Sequence, residues 1–223
     1  MHTQRTSRVA FVTIGQTPRV DLVPEITRRI GGRLHVIERG ALDGLSASEI
    51  AELAPRPGEQ RLVTRLKDGR EVVVSKQRIC ERVQRVLDVL PQAELDLTVL
   101  LCTGHLPGLR ATGLFLEAQH LVDHGVAAIA QGAGSIGVMV PLEEQIAEFH
   151  FSPREGQTLR YGHASPYSPG RLERAARELA EVDVIVMHCI GYTEEMRQIV
   201  TRASGRPVLL ARRLVAAAIS QLI

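Results

Sequence analysis

Short apolar runs alternate with amphipathic stretches along most of the chain. Residues 9–14 form an apolar run closed by Gly15, which predicts a buried strand. Leu22, Val23, Ile26 and Ile30 then recur at helical spacing. Pro24 fits only near a first turn, so the helix is expected to begin around Asp21 and to end at Gly31 and Gly32. Residues 34–37 read as a second strand. Ser46 and Glu49 form a capping box ahead of Ile50 and Leu53. Residues 61–66 and 70–75 flank Lys67-Asp68-Gly69, a hairpin signal. Ile79, Val83, Val86, Leu87 and Leu90 share the face of a helix that also carries Cys80.

The pattern continues with a strand over 97–101 that ends at Cys102. Two apolar runs, 126–130 and 136–140, bracket the small-residue loop Gln131-Gly132-Ala133-Gly134-Ser135, read as a tight turn. A helix is predicted over 142–149, then a polar segment, 152–168, with a short strand near Leu159 and a possible role as a lid. Ser168 is the expected N-cap of a helix carrying Leu172, Ala175, Ala176 and Leu179. Residues 182–187 form a buried strand that ends at His188 and Cys189. Thr193 caps the next helix, Gly205 ends it, 207–210 form a strand, and Leu214, Val215, Ala218, Ile219 and Leu222 mark a final helix. Strands alternating with helices imply an α/β protein with parallel sheet covered on both faces.

Composition narrows the function classes. Of 223 residues, 44% are hydrophobic but only 3% aromatic, with no Trp, so the core is built from Leu, Val, Ile and Ala. So few aromatics leave little for base stacking. Lys and Arg number 27 against 25 acids, a net charge of +2, and no basic stripe is visible. Arg28-Arg29 and Arg212-Arg213 read as solvated helix faces, so no nucleic-acid partner is expected. Three cysteines suit reduced thiols in a cytoplasmic protein rather than a disulfide framework. Neither a secretory leader nor a run of the roughly 20 apolar residues that span a bilayer is apparent, so no membrane association is expected.

In open parallel sheets, ligands bind beyond the carboxyl ends of the strands. The chain places Cys102-Thr103-Gly104-His105 and Cys189-Ile190-Gly191-Tyr192-Thr193 at two such ends, in similar constructions. Each sets a thiol where a strand leaves the sheet, followed by a glycine and a hydroxyl. Cys102 and Cys189 are thus the candidate catalytic pair, whereas Cys80 reads as a small core residue. Two facing thiols suit inversion of a carbon acid without a cofactor: a thiolate takes a proton on one face and a thiol returns one on the other. That chemistry asks the site to lower one thiol pKa. In the first turn, Gly15, Gln16, Thr17 and Arg19 are candidate substrate contacts. Arg19 would hold a carboxylate with help from Thr17, the alternative being a capping Thr and a solvated Arg. His105 is placed to activate a thiol, and His188 should point away from Cys189. The histidines lack metal-ligand spacing, so neither metal nor cofactor is expected.

Several segments together resemble the AroM family: Thr13-Ile14-Gly15-Gln16-Thr17-Pro18-Arg19 with Val23-Pro24-Glu25, Ala54-Pro55-Arg56-Pro57-Gly58-Glu59, Val138-Met139-Val140-Pro141-Leu142-Glu143-Glu144, and Cys189-Ile190-Gly191-Tyr192. The resemblance covers nearly all of 1–223 and implies a single unit. More distantly, the two Cys loops resemble those of the aspartate/glutamate racemase superfamily, which includes maleate isomerase and arylmalonate decarboxylase. That resemblance implies two pseudo-symmetric flavodoxin- or racemase-like halves, roughly 1–95 plus the C-terminal helix and 96–210, with a cofactor-free cleft between them and a possible homodimer. It matches Cys102 and Cys189 to the two thiols, and Thr103 and Thr193 to hydroxyls that hold a substrate carboxylate. Gly104, Gly191 and Tyr192 complete the expected contacts. The loops depart from the racemase forms Cys-Asn-Thr and Cys-Thr-His. The expected function is a racemase- or epimerase-like isomerase acting beside the carboxylate of a small acid. The alternatives are a one-thiol isomerase or decarboxylase of the same fold, or a non-catalytic protein that binds a small acid.

Overall fold

The computed structural model describes residues 5–149, 151 and 153–223; residues 1–4 and Ser152, which opens the polar segment, lie outside them. In chain order, β1 (Ser7–Thr13), α1 (Val23–Ile30) and β2 (Leu34–Gly40) are followed by α2 (Ala47–Glu52). The hairpin strands β3 (Arg61–Arg65) and β4 (Glu71–Ser75) lead into α3 (Lys76–Asp88), β5 (Leu97–Leu100), β6 (Phe115–Glu117), α4 (Ala118–Ile129) and β7 (Ser135–Val140). The rest comprises α5 (Glu144–Glu148), β8 (Thr158–His163), α6 (Leu172–Glu178), β9 (Val184–Met187), α7 (Glu194–Ser204), β10 (Val208–Leu210) and α8 (Ala211–Leu222).

Two four-stranded sheets result, ordered β2-β1-β5-β6 and β10-β9-β7-β8, and every pairing within them is parallel. The fold has two pseudo-symmetric racemase-like halves, one built on each sheet. Where a sheet's order of growth reverses, a crevice opens at the strand ends. Each half brings an inner strand, β5 or β9, to the shared end, with Cys102 or Cys189 two residues beyond. The first sheet includes β5 and β6, so its strands run well past residue 96.

Strand alternation divides the core. Val9 and Phe11 of β1, Val99 of β5, Ile136 and Val138 of β7, and Val184 and Val186 of β9 face a shared interior with α1, α4 and α8. Ala10, Val12 and Leu100 face outward to α3 instead, and Met139, Ile185 and Met187 face outward to α6 and α7. The shared interior fixes the two sheets against each other. Among the described residues, no helix is long and apolar enough to cross a membrane.

Several sequence expectations are corrected. Residues 126–130 end α4 rather than form a strand; Ala118, Val122 and Val126 are its buried face. The first helix starts at Val23, later than Asp21. Ser168 makes no side-chain cap, because Pro169–Arg171 is a 3-10 turn leading into α6. The capping box at Ser46, the hairpin and the Thr193 cap form as expected.

Arg212 is the largest correction. Far from being solvated, it is 0% exposed. Its Nε and Nη2 donate to the carbonyls of Ile190 (3.2 Å) and Gly191 (2.9 Å), in the loop after Cys189. Its Nη1 donates to the Asp21 carbonyl (3.1 Å) and to Glu25 Oε2 (2.5 Å), at the start of α1. Removing one partner of a buried ion pair strands the other. Arg212→Met is therefore expected to lower unfolding free energy by about 3–5 kcal/mol in chemical denaturation. Arg213→Met, beside it but half-exposed, should change it by no more than about 0.5 kcal/mol. Equal effects would contradict the structure.

Candidate active site

The carboxyl ends of both sheets open on one cavity of about 1070 Å³. Cys102, Thr103, His188 and Cys189 line it with Arg19 and Tyr167. The two thiol loops have the same local geometry. The Gly104 N–H donates to Cys102 Sγ at 3.4 Å, and the Gly191 N–H donates to Cys189 Sγ at 3.4 Å. Thr103 Oγ1 donates to the His188 carbonyl at 2.8 Å, a direct bond between the halves at the base of the cavity.

Both glycines lie at close approaches. A Cβ on Gly104 would lie 2.3 Å from Leu62 Cδ2, and one on Gly191 would lie 2.7 Å from the Tyr167 hydroxyl. Leu62 belongs to the β3–β4 hairpin, which spans the halves over the cavity. The Arg61 N–H donates to Glu148 (3.0 Å) and the Arg61 carbonyl accepts from Gln145 (3.2 Å), both within α5. Glu71 accepts from Ser165 Oγ in the loop after β8. The polar segment thus meets a roof formed by the hairpin.

Arg19 is only 3% exposed. Its Nε and Nη2 donate to the Asp21 carboxylate, each at 2.9 Å, its Nη1 to Thr13 Oγ1 at 3.0 Å, and its Nη2 also to the Tyr167 hydroxyl at 3.1 Å. Its charge is therefore already matched within the protein. Burial raises the Tyr167 hydroxyl well above the usual phenol range, so it stays a neutral donor beside Arg19 and Cys189.

Of the other sequence candidates, Thr103 and Gly104 line the cavity, whereas the rest serve the scaffold around it. Thr17 donates its N–H and hydroxyl to Asp43, both at 2.7 Å. Gln16 bridges the Leu42 carbonyl and the Lys67 N–H. Gly15 accepts from the Leu42 N–H and leaves room for Thr64. Tyr192 is fully buried and donates to the Ala164 carbonyl at 2.6 Å, and Thr193 caps α7. Gly191 supports the thiol loop through its N–H and carbonyl.

His188, expected to point away from Cys189, lines the same cavity. His188 pairs through Nε2 with Asp123 Oδ1 (2.6 Å) and packs edge-on against Phe149. Asp123 sits on the unpredicted α4, and Tyr167 lies in the polar segment. His105 contacts Gln119 at 3.4 Å at the rim. Cys80, expected in the core, is half-buried and lines the cavity. Among the described residues, no group of three or more His, Cys, Asp or Glu is placed to hold a metal.

Burial dominates the thiol electrostatics. It pushes Cys102 up to about 12 and Cys189 up to about 11, against the Gly N–H bonds and nearby cations. Arg19 and Arg212 favour the Cys189 thiolate, whereas a charge on Cys189 disfavours one on Cys102. The expected lowering of one thiol is therefore not present; on the order of one Cys189 in 10⁴ is ionised at pH 7. In Cys80→Ser protein, iodoacetamide labelling of Cys189 should rise about tenfold per pH unit between pH 7 and 10 without levelling, because a raised pKa keeps the reactive form rare. Cys102 should be slower throughout. A plateau near pH 8.5, read by peptide mass spectrometry, would contradict this environment.

The same architecture recurs in solved structures. A mutant of the Nocardia farcinica maleate cis-trans isomerase, with a covalently bound succinylcysteine intermediate, has a TM-score of 0.60 at 16% identity, covering 97% of this chain and 92% of that one. Allantoin racemase from Klebsiella pneumoniae gives 0.59 at 16% identity, covering 97% and 87%. Picrophilus torridus aspartate racemase gives 0.58 at 10% identity, covering 96% and 93%. No curated protein matches the sequence. The AroM protein family model matches residues 9–223, and the chain belongs to the AroM family.

Proposed function

We propose that this protein is a cofactor-independent isomerase of the racemase or epimerase type, acting at the carbon next to the carboxylate of a small acid. The observation that carries the reading is the matched pair of thiols: Cys102 and Cys189 follow inner strands of the two halves, have the same Gly N–H bond to sulfur, and line one cavity. The fold is shared with racemases and with an isomerase in which a cysteine carries a succinyl group.

In the proposed step, the thiolate of one cysteine takes the proton from the carbon beside the carboxylate. The C–H electron pair passes into the enolate, and the thiol of the other cysteine returns a proton to the opposite face. The two thiols exchange protonation states, so the reverse direction uses the same groups with roles reversed. Cys189, with Arg19 and Arg212 favouring its charged form, is the first thiolate. In this reading the neutral Tyr167 hydroxyl, on the cavity wall and held by Arg19, donates to the developing enolate, which grows in charge as the carbon loses its proton.

A one-thiol isomerase or decarboxylase is the second reading. It is favoured by the unequal surroundings of the two sulfurs: burial holds Cys102 up at about 12, with a charge on Cys189 adding to the rise, against about 11 for Cys189.

The test is NMR in D₂O with a panel of chiral amino and hydroxy acids. Exchange at Cα with inversion is expected, falling at least about 10²-fold in both Cys102→Ser and Cys189→Ser. Tyr167→Phe should slow turnover by about 10²-fold. Exchange that survives in one serine variant selects the one-thiol reading. No exchange across the panel, with the thiols reduced, overturns the isomerase.

A further inference from the structure

Three side-chain cations besides histidine line the cavity, and two are matched by acids. Arg19 holds Asp21 with two bonds of 2.9 Å. Arg61 faces Glu144 at 3.1 Å and Glu148 at 3.4 Å. Lys76 differs. Its ammonium donates to the neutral amide of Gln60 at 2.9 Å, and among the described residues no carboxylate lies in ion-pair range of it. The cavity's acids are otherwise engaged: Glu59 with Arg78, Asp123 with His188, and Glu148 with Arg61, while Glu81 is exposed at the rim.

Lys76 opens α3, directly after the hairpin, so its charge adds to the positive end of a 13-residue helix. The Lys76 charge also favours the Cys102 thiolate, which places the ammonium within electrostatic range of a candidate catalytic atom. A second group, on the hairpin itself, is unspent. Thr64 is 1% exposed and lines the cavity, yet its Oγ1 has no hydrogen-bond partner among the described residues. The Thr64 Oγ1 packs against Gly15; leaving it without a partner is costly, and a ligand group that reached it would relieve that cost.

We propose that the hairpin roof and the α3 start it leads into form the recognition element of the site: Lys76 pairs with the ligand's anionic group on the Cys102 side, and Thr64 bonds a polar group elsewhere in the same cavity. This rests on the reading of the cavity as a small-acid site, and moves the anion anchor from Arg19 to Lys76. Arg19, saturated by Asp21, Thr13 and Tyr167, is then a positioning residue for the Tyr167 hydroxyl. The ligand class is a small organic acid with a hydrogen-bonding group beyond its anionic one, the anion being a carboxylate or a phosphoryl group.

The experiment uses Cys80→Ser protein and measures protection of Cys102 from iodoacetamide at about pH 9, where the thiolate is more abundant than at neutrality, with maleate in one arm and inorganic phosphate in the other. Saturable protection is expected. Lys76→Met should raise the half-protecting concentration by about tenfold or more, as loss of a charge-assisted bond implies, while Lys76→Arg retains most of it. Thr64→Val, which removes only a hydroxyl, should leave phosphate protection intact and weaken maleate protection several-fold. Stronger protection by phosphate identifies a phosphoryl-bearing ligand, and by maleate a carboxylate. Half-exposed Lys76 can be replaced without disturbing the core, and an unchanged melting temperature verifies that. Equal protection in wild type and Lys76→Met, or none by either anion in wild type, overturns the proposal. Protection requires no turnover, so a protein that binds through Lys76 yet exchanges no Cα hydrogen fails as an isomerase without failing here.

Discussion

Arg212 joins three parts of the chain that are remote in sequence: the loop after Cys189, the start of α1 in the first half, and the C-terminal helix from which it projects. Its guanidinium is wholly buried, so its placement is fixed by geometry and by the loss of water that any misalignment could not recover. The carbonyls of Ile190 and Gly191 receive its donors, so the Cys189 loop cannot shift relative to α1 without breaking charged hydrogen bonds. The Thr103 hydroxyl adds a second bond between the halves, onto the residue before Cys189. Sheets that share one apolar interior are thereby locked in register at the end where the thiols emerge.

That locking has an electrostatic consequence. Both thiols are buried where the halves meet, and burial penalises the thiolate form of each. The structure offsets this in part with Gly N–H donors at both sulfurs and with Arg19, Arg212 and Lys76 at a distance. Arg19 and Arg212 are matched by internal acids, whereas Lys76 has no such match among the described residues. In the proposed reading, an anion from outside completes the electrostatics of the cavity, arriving under the hairpin beside Lys76 at the start of α3.

Much of this architecture is legible in residue order, because strand ends are marked by abrupt changes in polarity. Cys102 and Cys189 stand out since each closes a short apolar run and precedes a glycine, and both glycines prove to be sites of close approach. What residue order hides is decided by tertiary packing. Arg212 adjoins Arg213, and nothing local separates the wholly buried one from its half-exposed neighbour. The α4 helix is masked because its buried face is Ala118, Val122 and Val126, interrupted by His124 and Gly125, which leaves Asp123 without a setting. Thr17 and Gln16 look like ligand contacts because they are polar at a strand end, yet Asp43 and Leu42, brought there by the chain after β2, consume them. Tyr167 is one of two tyrosines in a polar stretch, and only the meeting of the halves sets its hydroxyl on Arg19.

The central claim is that one ligand carbon is addressed from two sides by thiols of different halves. A crystal structure of the protein with bound succinate tests it most directly. The account predicts succinate in the cavity between Cys102 and Cys189, one of its methylene carbons in van der Waals contact with both sulfurs on opposite faces. Succinate bound in the cavity but touching a single sulfur, or bound away from both, would contradict it.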